Sequence, residues 1–78
     1  MRFYKVRVRR WFTEDEMPRK KKASGKVFRD EICLVQALSI DEAQIIGFEA
    51  ALGRKFFGVP QSQCQVMETA TIEMPYFI

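Results

Sequence analysis

Phe3, Lys5, Arg7, Arg9 and Trp11 stand at alternate positions near the start of the chain, three cations bracketed by two aromatics. In a β-strand that spacing places all five on one face. Flat rings there can stack on a base while the cations between them attract phosphate. The same row also suits a plain solvated sheet face. A phosphate clamp built from Arg7, Arg9 and Arg10, with Phe3, Tyr4 or Trp11 as the stacking ring and Lys5 beside them, is therefore the candidate ligand-binding set. A second basic run, Arg19, Lys20, Lys21 and Lys22, offers possible phosphate contacts. Glu14, Asp15 and Glu16 precede it and cancel part of its field.

Catalytic chemistry finds little support in the residue types. There is no histidine, the side chain that most often does general acid and base work near neutral pH. Ser24, Ser39 and Ser62 have no nucleophile-elbow context, and no Gly-rich phosphate loop or metal-ligand cluster occurs. Cys33 and Cys64, with no histidine to join them, are expected as two reduced thiols and not as a zinc site or a disulfide. The expectation is a binding protein, not an enzyme, with no cofactor and no metal.

The chain has 78 residues, 47% hydrophobic and 29% charged, which is the balance of one small globular domain and not of a disordered segment. The net charge of +3 hides an asymmetry. Residues 1–29 carry eleven basic and three acidic groups, net +8, and residues 30–78 carry two basic and seven acidic, net −5. A positive pole of this kind suits phosphate-bearing partners or the acidic half of a second copy. No run of about 18 apolar residues is present, so no membrane partner is expected. The N-terminus lacks the apolar core of a signal peptide, and a cytoplasmic location is expected.

These residues need elements to position them. Residues 2–12 alternate as a half-buried strand, with Tyr4, Val6 and Val8 on the side that should face a helix. Residues 13–25 are almost without apolar content and read as a long flexible loop. A second strand over residues 27–38 is apolar on both sides through Ile32, Cys33, Leu34 and Val35, which predicts that both its faces are covered. The period then changes at Ser39, an N-cap with Glu42 three residues on. Its hydroxyl should accept from the amide of Glu42 while the glutamate reaches back to the amide of Ser39. The helix runs over residues 40–53, with Gly53 as its stop. Ala43, Ile46, Gly47 and Ala50 form the stripe expected against the sheet, and Ile45, Phe48 and Leu52 a bulkier stripe opposite, expected at an oligomer interface. A third strand follows over residues 63–73. The apolar tail 74–78 should dock Tyr76, Phe77 and Ile78 on the core or on a neighbouring subunit. The order β-β-α-β predicts an α+β fold, a three-stranded antiparallel sheet in the order 2-1-3 with one helix on one face, as a single domain over residues 1–78.

The segment L-V-Q-A-L-S-I-D-E-A-Q-I-I at residues 34–46, with the strand F-Y-K-V-R-V and the polar loop after it, resembles an uncharacterised small domain family of Bacteroidota and their phages that carries an L-V-x-A-L-S-x-x-E-A-x-x-I segment. The resemblance spans roughly residues 2–73 and brings no catalytic residue to map. Its M-P-Y-F-I end departs from the family's longer, more polar C-termini. It implies a phage or mobile-element setting, in which a homo-oligomer that sequesters an anionic nucleotide signal of host defence is the first expectation. The alternatives are a protein antagonist that docks on a host protein and a single-stranded nucleic-acid-binding protein.

Overall fold

The computed structural model describes residues 2–16 and 27–72. Strand β1 (Arg2–Trp11), strand β2 (Phe28–Ala37), helix α1 (Ile40–Gly53) and strand β3 (Cys64–Ile72) follow in that order, with short 3-10 turns at Glu14–Glu16 and Gln61–Gln63. The sheet order is β2-β1-β3, and β1 pairs antiparallel with both neighbours. The predicted architecture is the observed one. Among the described residues no helix is long and apolar enough to cross a membrane.

The alternation of β1 decides where the core lies. Tyr4, Val6 and Val8 turn to the helix side and are buried, together with Cys33, Val35 and Ala37 of β2. Val6 and Val8 are fully enclosed, each contributing on the order of 2 kcal/mol of apolar burial. The helix meets this layer along Ala43, Gly47 and Ala51, one residue every turn, and those three are its buried positions. Gly47 sets the approach: a Cβ there would lie 2.6 Å from the Cβ of Val6. That close seat shifts the contact strip from the predicted stripe. Ala51 replaces Ala50 on it, and Ile46 turns partly to solvent. Phe48 and Leu52, expected on the far side, instead pack half-buried against the flank of the core, while Ile45 stays exposed.

Ser39 caps the helix in extended conformation, its Oγ accepting from the amide of Glu42 at 3.2 Å. Glu42 accepts from the amide of Leu38 at 3.3 Å and not from that of Ser39, so the box closes one residue early. Gly53 is the last helical residue, and the left-handed glycine is Gly58, with φ 83°. Around it the chain turns so that Phe56 enters the core while Phe57 stays in solvent. The amide of Phe56 donates to the carbonyl of Ala51 at 3.0 Å, and that of Val59 to the carbonyl of Phe56 at 3.0 Å.

The expected covering of both faces of β2 does not occur among the described residues. Ile32 and Leu34 are 47% and 70% exposed, because helix α1 lies on the Cys33 and Val35 side. Among the described residues nothing covers the outer face of the sheet, hereafter the open face.

Candidate functional site

The register lays out the open face row by row. Leu34, Lys5 and Ala70 stand side by side across the three strands, then Ile32, Arg7 and Glu68, then Asp30, Arg9 and Gln65, with Phe28 beside Trp11 at one end and Gln36, Phe3 and Ile72 at the other. A bulge between the partners of Arg7 and Val8 leaves Met67 of β3 without a partner on β1. Five of the predicted ligand residues, Phe3, Lys5, Arg7, Arg9 and Trp11, share this face. The other two do not. Tyr4 is 4% exposed in the core and is not available to stack on a ligand. Arg10 follows the parity of Tyr4, Val6 and Val8, so Arg7, Arg9 and Arg10 do not form one clamp.

Arg9 is held at the centre of an aromatic cluster. Its Nε and Nη2 donate to Oδ1 and Oδ2 of Asp30 at 2.7 and 3.0 Å, a two-pronged pair across adjacent strands. The guanidinium lies 3.6 Å from the ring centre of Phe28 and 5.4 Å from that of Trp11. The two rings meet edge to face at 5.3 Å. The hydrogen bonds from Arg9 hold the carboxyl of Asp30 below its ordinary range, and the same bonds raise Arg9. The charge of Arg9 is thus largely answered within the sheet. Arg7 reaches Glu68 at 3.6 Å, and its Nε has no hydrogen-bond partner among the described residues.

On the other parity, Arg10 pairs with Glu16 and lies 4.0 Å from the ring centre of Phe12. Glu16 also accepts from the amide and hydroxyl of Thr13 at 2.9 and 3.0 Å and from Nε2 of Gln63 at 3.0 Å. Gln63 in turn donates to the carbonyl of Trp11 at 2.9 Å. These donors, the Thr13 amide foremost, pull the Glu16 carboxyl down to about 2. The cluster ties the end of β1 to the start of β3 beside the Trp11 end of the open face.

A groove of about 320 Å³ lies elsewhere, between α1 and β3, lined by Gln44, Ile45, Phe48, Glu49, Gln61 and Val66. It contains Ile45 and Phe48 of the expected interface stripe and not Leu52. Arg19, Lys20, Lys21, Lys22, Tyr76, Phe77 and Ile78 lie outside the described residues. Cys33 and Cys64 are free thiols, both raised by burial. Among the described residues no cluster of three or more Cys, Asp or Glu side chains forms a metal site.

The β2 members of the face, Phe28, Asp30, Ile32 and Leu34, are not among the sequence candidates. Their signal in the sequence is a second alternating row, hidden where Cys33 and Val35 make the run apolar on both sides. No family model, curated protein or solved structure matches this chain.

Proposed function

We propose that the protein is a non-catalytic binding module whose open sheet face docks on another protein. One observation carries this reading: Phe28, Ile32 and Leu34 form a row along β2 that is 45%, 47% and 70% exposed, beside cations already faced by carboxylates. Large apolar side chains aligned on one uncovered face mark an interaction surface. The pairing of Arg9 with Asp30 and of Arg7 with Glu68 lowers the pull of the face on phosphate, so protein docking stands ahead of nucleotide capture. The partner that fits is an apolar surface bearing a carboxylate, which Lys5 and Arg7 would meet at the rim. In the phage setting that the resemblance implies, such a partner is a host protein.

A second reading has its own observation. Arg7, whose side chain is 38% exposed and is held by a 3.6 Å contact to Glu68, has guanidinium donors to offer an anion beside Lys5. The test separates the two. The tagged protein is used to retrieve a partner from host lysate, and the complex is rebuilt from purified components with wild type, Leu34→Asp and Arg7→Ala. Protein docking predicts that Leu34→Asp weakens the rebuilt complex by at least tenfold, with the far-ultraviolet dichroism unchanged. Native mass spectrometry with a panel of cyclic dinucleotides, ADP-ribose derivatives and a short single strand is the other arm. Uptake of a nucleotide at fixed stoichiometry, lost in Arg7→Ala and kept in Leu34→Asp, would overturn the docking reading.

A further inference from the structure

Among the described residues the sheet has two outer edges, and they are built differently. The β3 edge is broken by the bulge at Met67 and carries Glu68, Thr69 and Thr71. Both a bulge and polar side chains discourage another strand from adding on. The β2 edge has no bulge, and its charged residues, Arg29, Asp30 and Glu31, are confined to its first half. Its ten residues pair with β1 in unbroken register, and Ile32, Cys33, Leu34 and Val35 are apolar.

The parity of that edge can be worked out. The amide of Phe12 donates to the carbonyl of Val27 at 2.9 Å, and these two residues continue the β1–β2 register. Ladder bonds in an antiparallel pair alternate along each strand. Arg29, Glu31, Cys33, Val35 and Ala37 therefore turn their backbone groups inward to β1, whereas Phe28, Asp30, Ile32, Leu34 and Gln36 turn theirs to the outer edge. The same five carry the side chains of the open face.

We infer that two copies of the chain join through this edge, β2 against β2 in antiparallel register about a two-fold axis at Cys33, to make one continuous six-stranded sheet. Parity removes half of the alternatives. Outward groups must meet outward groups, so even-numbered residues face even-numbered residues, and both helices fall on the same side of the joined sheet. Side-chain matching on the open face ranks the rest; there an axis at Val35 sets Leu34 against Gln36. A two-fold axis at Asp30 or at Glu31 sets like charges against each other. An axis at Ile32 puts Asp30 opposite Leu34 of the partner strand, and an axis at Leu34 puts Ile32 opposite Gln36. On the open face an axis at Cys33 matches Ile32 with Leu34 twice and the Asp30 carboxylate with the Gln36 amide twice, while on the helix side it sets Glu31 beside Val35. About eight ladder hydrogen bonds form across that register. It also makes the Ile32 and Leu34 rows of two open faces continuous. The inference uses the backbone edge and stands independently of what the face binds.

The experiment begins with wild-type protein. Sedimentation at high micromolar concentration should give twice the 9.2 kDa chain mass, and amide hydrogen exchange of that sample should show Ile32 and Leu34 protected along with the inward amides of Cys33 and Val35. A monomer, or a dimer in which the Ile32 and Leu34 amides exchange as open ones, overturns the proposal. Leu34→Pro removes an outward N–H without touching the β1 ladder and should weaken the dimer by roughly a hundredfold. Thr71→Pro at the other edge should leave the dimer intact, and loss of the dimer in Thr71→Pro with retention in Leu34→Pro would contradict the assignment. Register is read by oxidation in a background with Cys33 and Cys64 replaced by alanine. A mixture of Ile32→Cys and Leu34→Cys chains should cross-link while neither does so alone. Self-linking of either single variant places the axis elsewhere and refutes the register.

Discussion

Replacing Gly47 by alanine should destabilise the fold although alanine is the better helix former. The added Cβ would lie 2.6, 2.7 and 2.9 Å from Cβ, Cγ1 and Cγ2 of Val6. Val6 is fully buried on the central strand, and its Cβ cannot move without the backbone. The helix must therefore back away from the sheet. Overpacking costs about 1–3 kcal/mol, and a clash with a backbone-fixed atom belongs at the upper end. Helix propensity returns about 1 kcal/mol. The net loss is about 2 kcal/mol, which in a domain of this size lowers the unfolding midpoint by roughly 8–16 °C. Gly53→Ala is the matched control. It lies at the end of the same helix with nothing within 4 Å of the new methyl, and it should raise stability by about 0.4–1 kcal/mol. Thermal unfolding followed by far-ultraviolet dichroism reads both. A Gly47→Ala protein as stable as wild type would refute the close seating of α1 on Val6 and the narrow contact strip derived from it.

Ser39→Ala removes the acceptor for the Glu42 amide and should cost about 1 kcal/mol in chemical denaturation; an unchanged midpoint would count against the cap. The folded Glu16 carboxyl titrates at about 2, below its ordinary 4.5, so its contribution to stability is complete above the ordinary value and is lost as pH falls toward 2. Melting temperature measured from pH 6 down to pH 2 should fall less steeply in Glu16→Gln than in wild type, and identical acid limbs would argue that the Thr13, Gln63 and Arg10 contacts carry no weight. Asp30, also depressed through Arg9, acts in the same sense, so Asp30→Asn should flatten the acid limb as well. At concentrations low enough for the chain to be monomeric, Leu34→Asp should leave the stability within about 0.5 kcal/mol of wild type, since the side chain is exposed within the single chain; a large loss there would mean that the residue is packed within its own chain.

What the sequence made legible follows the range of the interaction that decides each feature. The β2–α1 boundary is written in Ser39 and Glu42, three residues apart, and the sheet order follows from element order and alternation. Tyr4 and Arg10 were open to correction by the same alternation, since neither shares parity with Arg7. Features that depend on contacts distant in sequence were hidden. Arg9 meets Asp30 across 21 positions, and only the register reveals that its charge is answered. Ala50 and Ala51 are equally small, so helical period alone could not choose between them; the approach of Gly47 to Val6 does. Ile32 and Leu34 looked like core because apolar type does not say which face a single helix will cover. Phe56 sits in a turn with no periodicity to mark it, and its neighbour Phe57 points the other way.

The most direct test of the binding face is a nuclear magnetic resonance footprint of the protein in its complex with the retrieved partner. The account predicts that Lys5, Arg7, Phe28, Ile32 and Leu34 shift or broaden while Ile45, Phe48 and Val66 in the groove beside α1 keep their positions. A footprint on Ile45, Phe48 and Val66 with the open face unchanged would contradict it.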